Sequence, residues 1–279
     1  TASAGTSNTR IGVNAGNSIA SGGNYNVVVG DEAGTALTTG DGNVAVGFEA
    51  LKTEDANGNN VAVGYRALKV QNAGAEAYNV AVGVDAGLGL TTATSSTLIG
   101  AFAGGGGTLS GANNTAIGRN AGYTLTSGTQ NVLIGGLAGD AITTASNNTA
   151  VGYNSLSANT TASNNTAVGY AAGTAVTTGF QNTLIGSLAG DALTDADYNV
   201  AMGYRALTTD TLGSRSIAVG FGALENQNFT SATDTYNVAM GHGAGTSVTT
   251  GVENTLLGGL AGDAITTGYY NTALGKDAL

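Results

Sequence analysis

Apolar and polar positions follow one short phrase that returns about every 17 residues along the whole chain. It reads Asn, a β-branched residue, a small or aliphatic residue, an aliphatic residue, Gly, two variable residues and Ala. Clear copies are Asn43-Val44-Ala45-Val46-Gly47-Phe48-Glu49-Ala50 and Asn165-Thr166-Ala167-Val168-Gly169-Tyr170-Ala171-Ala172. Sixteen copies carry the glycine, at 12, 30, 47, 64, 83, 100, 118, 135, 152, 169, 186, 203, 220, 241, 258 and 275. Periodicity of this kind is the signature of a repeat architecture, in which each unit buries its apolar face only against its neighbours.

Counting from that glycine, position −3 is always Thr, Val or Ile, position −1 is always Val, Ile, Leu or Met, and position −2 is mostly Ala or Leu. β-Branched residues suit a pleated surface and resist the helix, so the phrase predicts a three-residue strand in every repeat. Side chains alternate along a strand, which puts −3 and −1 on one face and −2 on the other. Both faces are apolar or small and are expected to be covered. The −2 face is the one expected to lie bare in a lone chain. The glycine marks a bend or a close backbone approach, and the Ala at +3 a site with no room for more. The rest of each period is Thr, Ser, Asn, Asp and Gly, which form turns. Each repeat is therefore one coil of a β-solenoid. A helix is excluded, because apolar residues do not recur at 3.6 spacing.

Position +4 divides the copies. Ten have Gly there, as at Gly34, Gly139 and Gly190; six have Leu, at Leu51, Leu68, Leu156, Leu207, Leu224 and Leu279. The Gly copies bring an aliphatic residue three positions later (Leu37, Leu125, Ile142, Leu193; one residue late at Leu109), whereas Leu copies carry polar residues there, such as Glu54, Gln71, Asn159 and Asp210. The two classes are expected to fill the same core volume from two places. Position −4 is Asn in fourteen copies and Ser in two, Ser96 and Ser216. Stacked coils turn this into a ladder of bonded amides, with Asn43, Asn60, Asn79, Asn114, Asn131, Asn148, Asn165, Asn182, Asn199, Asn237, Asn254 and Asn271 as its members.

Phrases such as Asn-Asn-Thr-Ala-Val-Gly-Tyr at 147–153 and 164–170 resemble the head repeats of YadA-like trimeric adhesins, and more closely the repeats of bacteriophage tail-fibre proteins. The resemblance covers essentially the whole chain. It implies a left-handed parallel β-roll, three identical chains side by side, and a non-catalytic role in attachment to a surface. The expected fold is thus all-β, a parallel β-solenoid of about 16 coils of ~17 residues forming a side-by-side homotrimer, with residues 1–279 as a single repeat domain. The expected partners are other copies of the chain, a host cell-surface glycan or protein, and other fibre or baseplate proteins. The expected place is the virion tail fibre, with the head of a bacterial trimeric adhesin on the cell surface as the alternative. Sixteen coils rising one strand spacing each would make a rod of about 75 Å.

Composition agrees with a thin interior. The chain has 47 Gly, no Pro, Cys or Trp, and a hydrophobic fraction of 42% with few aromatics. Charged residues make up only 9%, with a net charge of −10 and eight scattered Lys and Arg. That excludes nucleic-acid binding, which needs clustered cations against phosphates. No apolar run has the length that spans a bilayer. Thr1 stands where a Met would, so the chain is expected to be a segment of a longer polypeptide or a processed product.

Candidate chemistry is sparse, and no enzyme activity, cofactor or metal is expected. With no cysteine and one histidine, His242, a Cys/His metal site within one chain is impossible. Asp55-Ala56-Asn57-Gly58-Asn59 has the alternating oxygens of a calcium loop without its downstream Glu, and reads as a turn. Gly104-Gly105-Gly106-Gly107 lacks the Lys-Ser/Thr of a phosphate loop. Asp140, Asp191 and Asp263 recur at one point of the repeat and suggest turn caps. Tyr65, Tyr153, Tyr170 and Tyr204 each follow the repeat glycine and are candidate receptor contacts, as platforms for sugar rings. So are Asn226, Gln227 and Phe229, in the longer of two insertions, 69–78 and 225–236. Pairs of Thr at 38–39, 143–144, 177–178, 249–250 and 266–267 raise ice binding as a further alternative.

Overall fold

The computed structural model describes residues 5–279, and its contacts gather into two compact units, Thr1–Thr144 and Ala145–Leu279. The first unit holds eight strands: β1 (Thr9–Ile11), β2 (Val27–Val29), β3 (Val44–Val46), β4 (Val61–Val63), β5 (Val80–Val82), β6 (Thr97–Ile99), β7 (Thr115–Ile117) and β8 (Val132–Ile134). The second holds β9 (Thr149–Val151), β10 (Thr166–Val168), β11 (Thr183–Ile185), β12 (Val200–Met202), β13 (Gly213–Ser214), β14 (Ile217–Val219), β15 (Thr233–Asp234), β16 (Val238–Met240), β17 (Thr255–Leu257) and β18 (Thr272–Leu274). Every strand is one copy of the repeat phrase, except the short pair β13 and β15. The chain is all-β, and each unit is a parallel β-solenoid whose successive coils lay their strands side by side in register. Val44 pairs with Val61 and Ala45 with Ala62 in the first unit; Thr166 pairs with Thr183 and Ala167 with Leu184 in the second.

Turns join the ladder as well as strands. Leu51 N–H donates to Ala67 O at 3.0 Å, and Thr53 N–H to Lys69 O at 3.2 Å. The backbone of each coil is satisfied by its neighbours almost all the way round, as buried polar backbone requires.

The burial of the strand corrects the sequence expectation. It is the −2 side chain that enters the core: Val28, Ala45, Leu98, Leu133, Ala167 and Leu184 are fully buried. The −3 and −1 side chains face outward, giving the half-buried, buried, half-buried pattern of β3 and its equivalents. The coil is so narrow that a single inward residue per strand closes it against the turn, and the larger β-branched residues are left outside.

Two close approaches fix the other repeat positions. At the repeat glycine, φ lies near +135°, and a Cβ on Gly47 would stand 2.3 Å from the carbonyl oxygen of Gly64 in the next coil. At +4 the backbone is left-handed in both classes, with φ of 51° at Gly34 and 51° at Leu51. A Cβ on Gly122 would meet the Leu125 and Leu133 side chains at 2.7 and 2.8 Å. One on Gly173 would meet Leu184, from the coil after it, and Leu156, the +4 leucine of the coil before it. The +4 leucine and the +7 aliphatic residue therefore serve one volume, as expected. Leu279, in the last coil, is instead exposed.

The polar residues at +7 of the Leu copies are not surface residues. Glu54, Gln71, Asn159, Asp210 and Gln227 are all buried. With the core volume already taken by Leu at +4, the +7 side chain turns to bond the coil's own backbone and its neighbour.

Candidate functional site

The Asn side chains sit at the corner before each strand, buried in the inner coils and half-buried at Asn8 and Asn271 in the end coils. Each Oδ1 accepts the N–H of the corner residue in the next coil: Asn165 Oδ1 takes Asn182 N–H at 2.9 Å, and Asn43 Oδ1 takes Asn60 N–H at 3.0 Å. In most coils Nδ2 donates to a turn carbonyl 14 residues on, as Asn165 does to Gly179 O at 2.9 Å, whereas Asn60 Nδ2 donates to Gly58 O at 3.2 Å. Amide-to-amide bonds supplement this, for example Asn182 Nδ2 to Asn165 Oδ1 at 3.2 Å. Asn26 joins the ladder in the same way. Where Ser96 stands in, its hydroxyl still accepts Asn114 N–H, at 3.3 Å.

The outward strand face is a large exposed feature of each unit. Its −1 column is entirely aliphatic, and Val82, Met202 and Met240 are exposed to 37%, 39% and 46%. The residue after the glycine continues this face. Tyr65, Tyr153, Tyr170 and Tyr204 are all exposed there. Their ring faces are partly spoken for: Phe48 stacks on Tyr65 at 5.4 Å, Tyr153 on Tyr170 at 6.0 Å, and Tyr204 on Phe221 at 5.4 Å. His242 extends the last stack, 4.9 Å from Phe221 and nearly parallel to it. These rings form short ladders, so a sugar would find only the outer faces of each.

Against protein-family models, curated proteins and solved structures, the chain finds no match. Its surfaces are therefore read from their own chemistry.

The insertion 225–236 divides the remaining candidates. Asn226 is exposed, its Nδ2 donating to Thr246 O at 2.9 Å. Gln227 and Phe229 are buried and are not available to a receptor. Their burial has one cause, the carboxylate of Asp210 beneath the loop. Its Oδ2 accepts Gln227 Nε2 at 2.6 Å, and its Oδ1 accepts the N–H groups of Gly213 and Phe229 at 3.1 and 3.0 Å. Gln227 Oε1 in turn accepts Asn237 Nδ2 at 2.8 Å. The loop is folded inward at its start and exposed at 230–232, and its return lays β15 beside β13.

Glu54 plays the equivalent part under the first insertion. Gln71 Nε2 donates to its Oε2 at 3.0 Å, and Asn57 donates to Oε1 from both backbone and side chain. Burial pushes the Glu54 carboxyl up, against the lowering effect of those hydrogen bonds. The calcium-like segment is thus a turn organised around Glu54, and Asn59 Nδ2 donates to Glu76. Asp191 accepts the hydroxyl of Thr208, at the same repeat position one coil on. Burial raises the carboxyl of Asp140, whose Oδ1 has no partner. Of the glycines at 104–107, Gly106 lies against the Tyr123 ring and Gly104 against Leu98 and Leu109. In the paired threonines the first hydroxyl points back at the solenoid, as Thr38 to Asp55 O and Thr177 to Thr194 O.

Charges on the first unit are largely matched internally. Glu49 receives Lys52 and Lys69 at 2.7 and 2.6 Å, and Arg66 makes a two-pronged bond to Asp85 at 2.8 Å. Among the described residues no group of three or more His, Cys, Asp or Glu is placed to hold a metal ion, and no helix is long and apolar enough to cross a membrane.

One recurring surface position escaped the sequence reading. Five residues before the glycine the backbone is left-handed, and Tyr25, Tyr78, Tyr198, Tyr236 and Tyr270 stand there, all exposed. The available signal was tyrosine recurring directly before the corner Asn, in a position whose occupants otherwise vary.

Proposed function

We propose that this chain is a non-catalytic fibre segment that associates with two further copies along its outward strand face, and that the assembly serves surface attachment as part of a virion tail fibre. The observation that carries this reading is the −1 column: an aliphatic side chain from every coil, held outward in register and flanked by stacked aromatic rings. Monomeric soluble proteins rarely leave apolar surface contiguous on this scale. Covering it is favourable by roughly 25 cal/mol for each Å² removed from water. The −3 and −1 columns of this face carry no charged residue to keep copies apart.

Sedimentation equilibrium on the purified chain tests the association. The expected result is a species of three times the 27.0 kDa chain mass. A chain that stays monomeric at high concentration overturns the reading. Met202→Arg with Met240→Arg places charges on the exposed column without touching the core, and is expected to give folded monomers. Attachment is tested separately, by adsorption of the labelled chain to intact bacterial cells and by its competition with whole virus particles.

A further inference from the structure

The exposed position five residues before the glycine forms a column in the second unit: Tyr198, Arg215, Tyr236, Glu253 and Tyr270, one from each successive coil. Main-chain bonds hold the column in register. Arg215 N–H donates to Asp197 O at 3.0 Å, Glu253 N–H to Thr235 O at 2.7 Å, and Tyr270 N–H to Val252 O at 3.2 Å.

The upstream half of the column is already occupied. The Arg215 guanidinium lies between two rings, 4.7 Å from the centroid of Tyr198 and 5.9 Å from that of Tyr236, and pairs with Asp234 at 3.0 Å. Rings two coils apart are separated by about 9.6 Å, which is room for one flat group between them. Two tyrosines, a carboxylate and a guanidinium thus make a complete cation site within the chain.

The downstream half repeats the two rings, with the carboxylate of Glu253 at the position that Arg215 takes upstream. Tyr236 and Tyr270 are again two coils apart, and are 54% and 68% exposed. Tyr269 braces Tyr270 edge-on at 5.4 Å. Between them stands Glu253, exposed, with no hydrogen-bond or ion-pair partner for its carboxylate among the described residues. Aromatic faces attract a cation through their quadrupole, and a carboxylate adds an ion pair. The net charge of −10 gives the whole chain a field of the same sense.

We propose that the slot framed by Tyr236, Glu253 and Tyr270 binds an organic cation, a guanidinium or a trimethylammonium group, as the preceding slot holds Arg215.

Isothermal titration of the whole chain at low salt, with choline chloride and separately with Nα-acetyl-arginine amide, tests this. At least one probe is expected to bind saturably, with affinity reduced about fivefold or more in Glu253→Gln and in Tyr270→Ala. Tyr25→Ala, in the first unit, is expected to leave binding unchanged and controls for loss of an exposed tyrosine. Preference for choline assigns the slot to a lipid or polysaccharide headgroup, and preference for the arginine probe to a side chain of a partner protein. Absence of saturable binding by both probes, or equal affinity in Glu253→Gln, overturns the proposal. Neither result bears on self-association, which is read by sedimentation without any ligand.

Discussion

At the scale of single residues, the repeat is held by groups with no substitute. Gly169 has φ +143°, and a Cβ there would stand 2.4 Å from Gly186 O. Gly169→Ala is expected to cost at least about 2 kcal/mol, since backbone strain and a clash with rigid backbone act together; urea denaturation measures it. Asn165→Ala would orphan the buried Asn182 N–H and the Gly179 carbonyl, with an expected loss of about 1–3 kcal/mol. Asn165→Ser should lose less, because Ser96 shows that a hydroxyl can still accept the next coil's N–H. Glu54 behaves differently. Burial raises its folded-state pKa above the unfolded value, so the unfolded chain releases the proton first. Its contribution to stability is fully present below the unfolded pKa and is lost as pH rises through the folded one. Glu54→Gln keeps one acceptor for the two Asn57 donors, its Nε2 can donate to the unpartnered Gln71 Oε1 once that amide turns over, and it has no charge to bury. It is expected to be more stable than the parent at pH 7, with that advantage vanishing in acid; an unchanged difference at both pH values would refute the assignment.

At the scale of the coil, two solutions fill one core position. A left-handed +4 leucine accepts backbone strain and delivers its side chain directly. A +4 glycine relieves the strain and lets the +7 residue reach the same space. Leu193→Ala and Leu207→Ala should therefore destabilise by similar amounts, about 2–5 kcal/mol each. A large difference between their unfolding free energies would show that the two sites are not equivalent. The choice also decides chemistry. Wherever leucine takes +4, the +7 position is released for a buried polar group, and each insertion carries such a group, Gln71 or Gln227, near its start. Glu54 with Gln71, and Asp210 with Gln227, are the anchors on which those loops are built.

At the scale of the whole molecule, each coil depends on its neighbours rather than on a central core. Removal of one complete period is expected to be tolerated. Deleting residues 153–169 joins Gly152 to Tyr170, and rejoins the Asn ladder and strand register one coil shorter. Far-UV circular dichroism and cooperative unfolding should survive it. Deleting half a period would place outward side chains inside and should abolish folding, since register errors reverse every face.

Periodicity, strand content, the bend at the glycine, the tight Ala and the paired +4/+7 aliphatic residues were all written in the sequence, because each is a local steric demand that recurs coil after coil. Which strand face closes the coil was not. Both faces are apolar, and only the narrow closure against the turn decides that −2 goes inward and −3 and −1 outward. The same holds for Gln227 and Phe229, which look like free loop residues until the buried Asp210 draws them in. Tyr236, Glu253 and Tyr270 lie far apart in the chain and unremarked in the repeat. Only stacking at one strand spacing per coil brings them into a single slot.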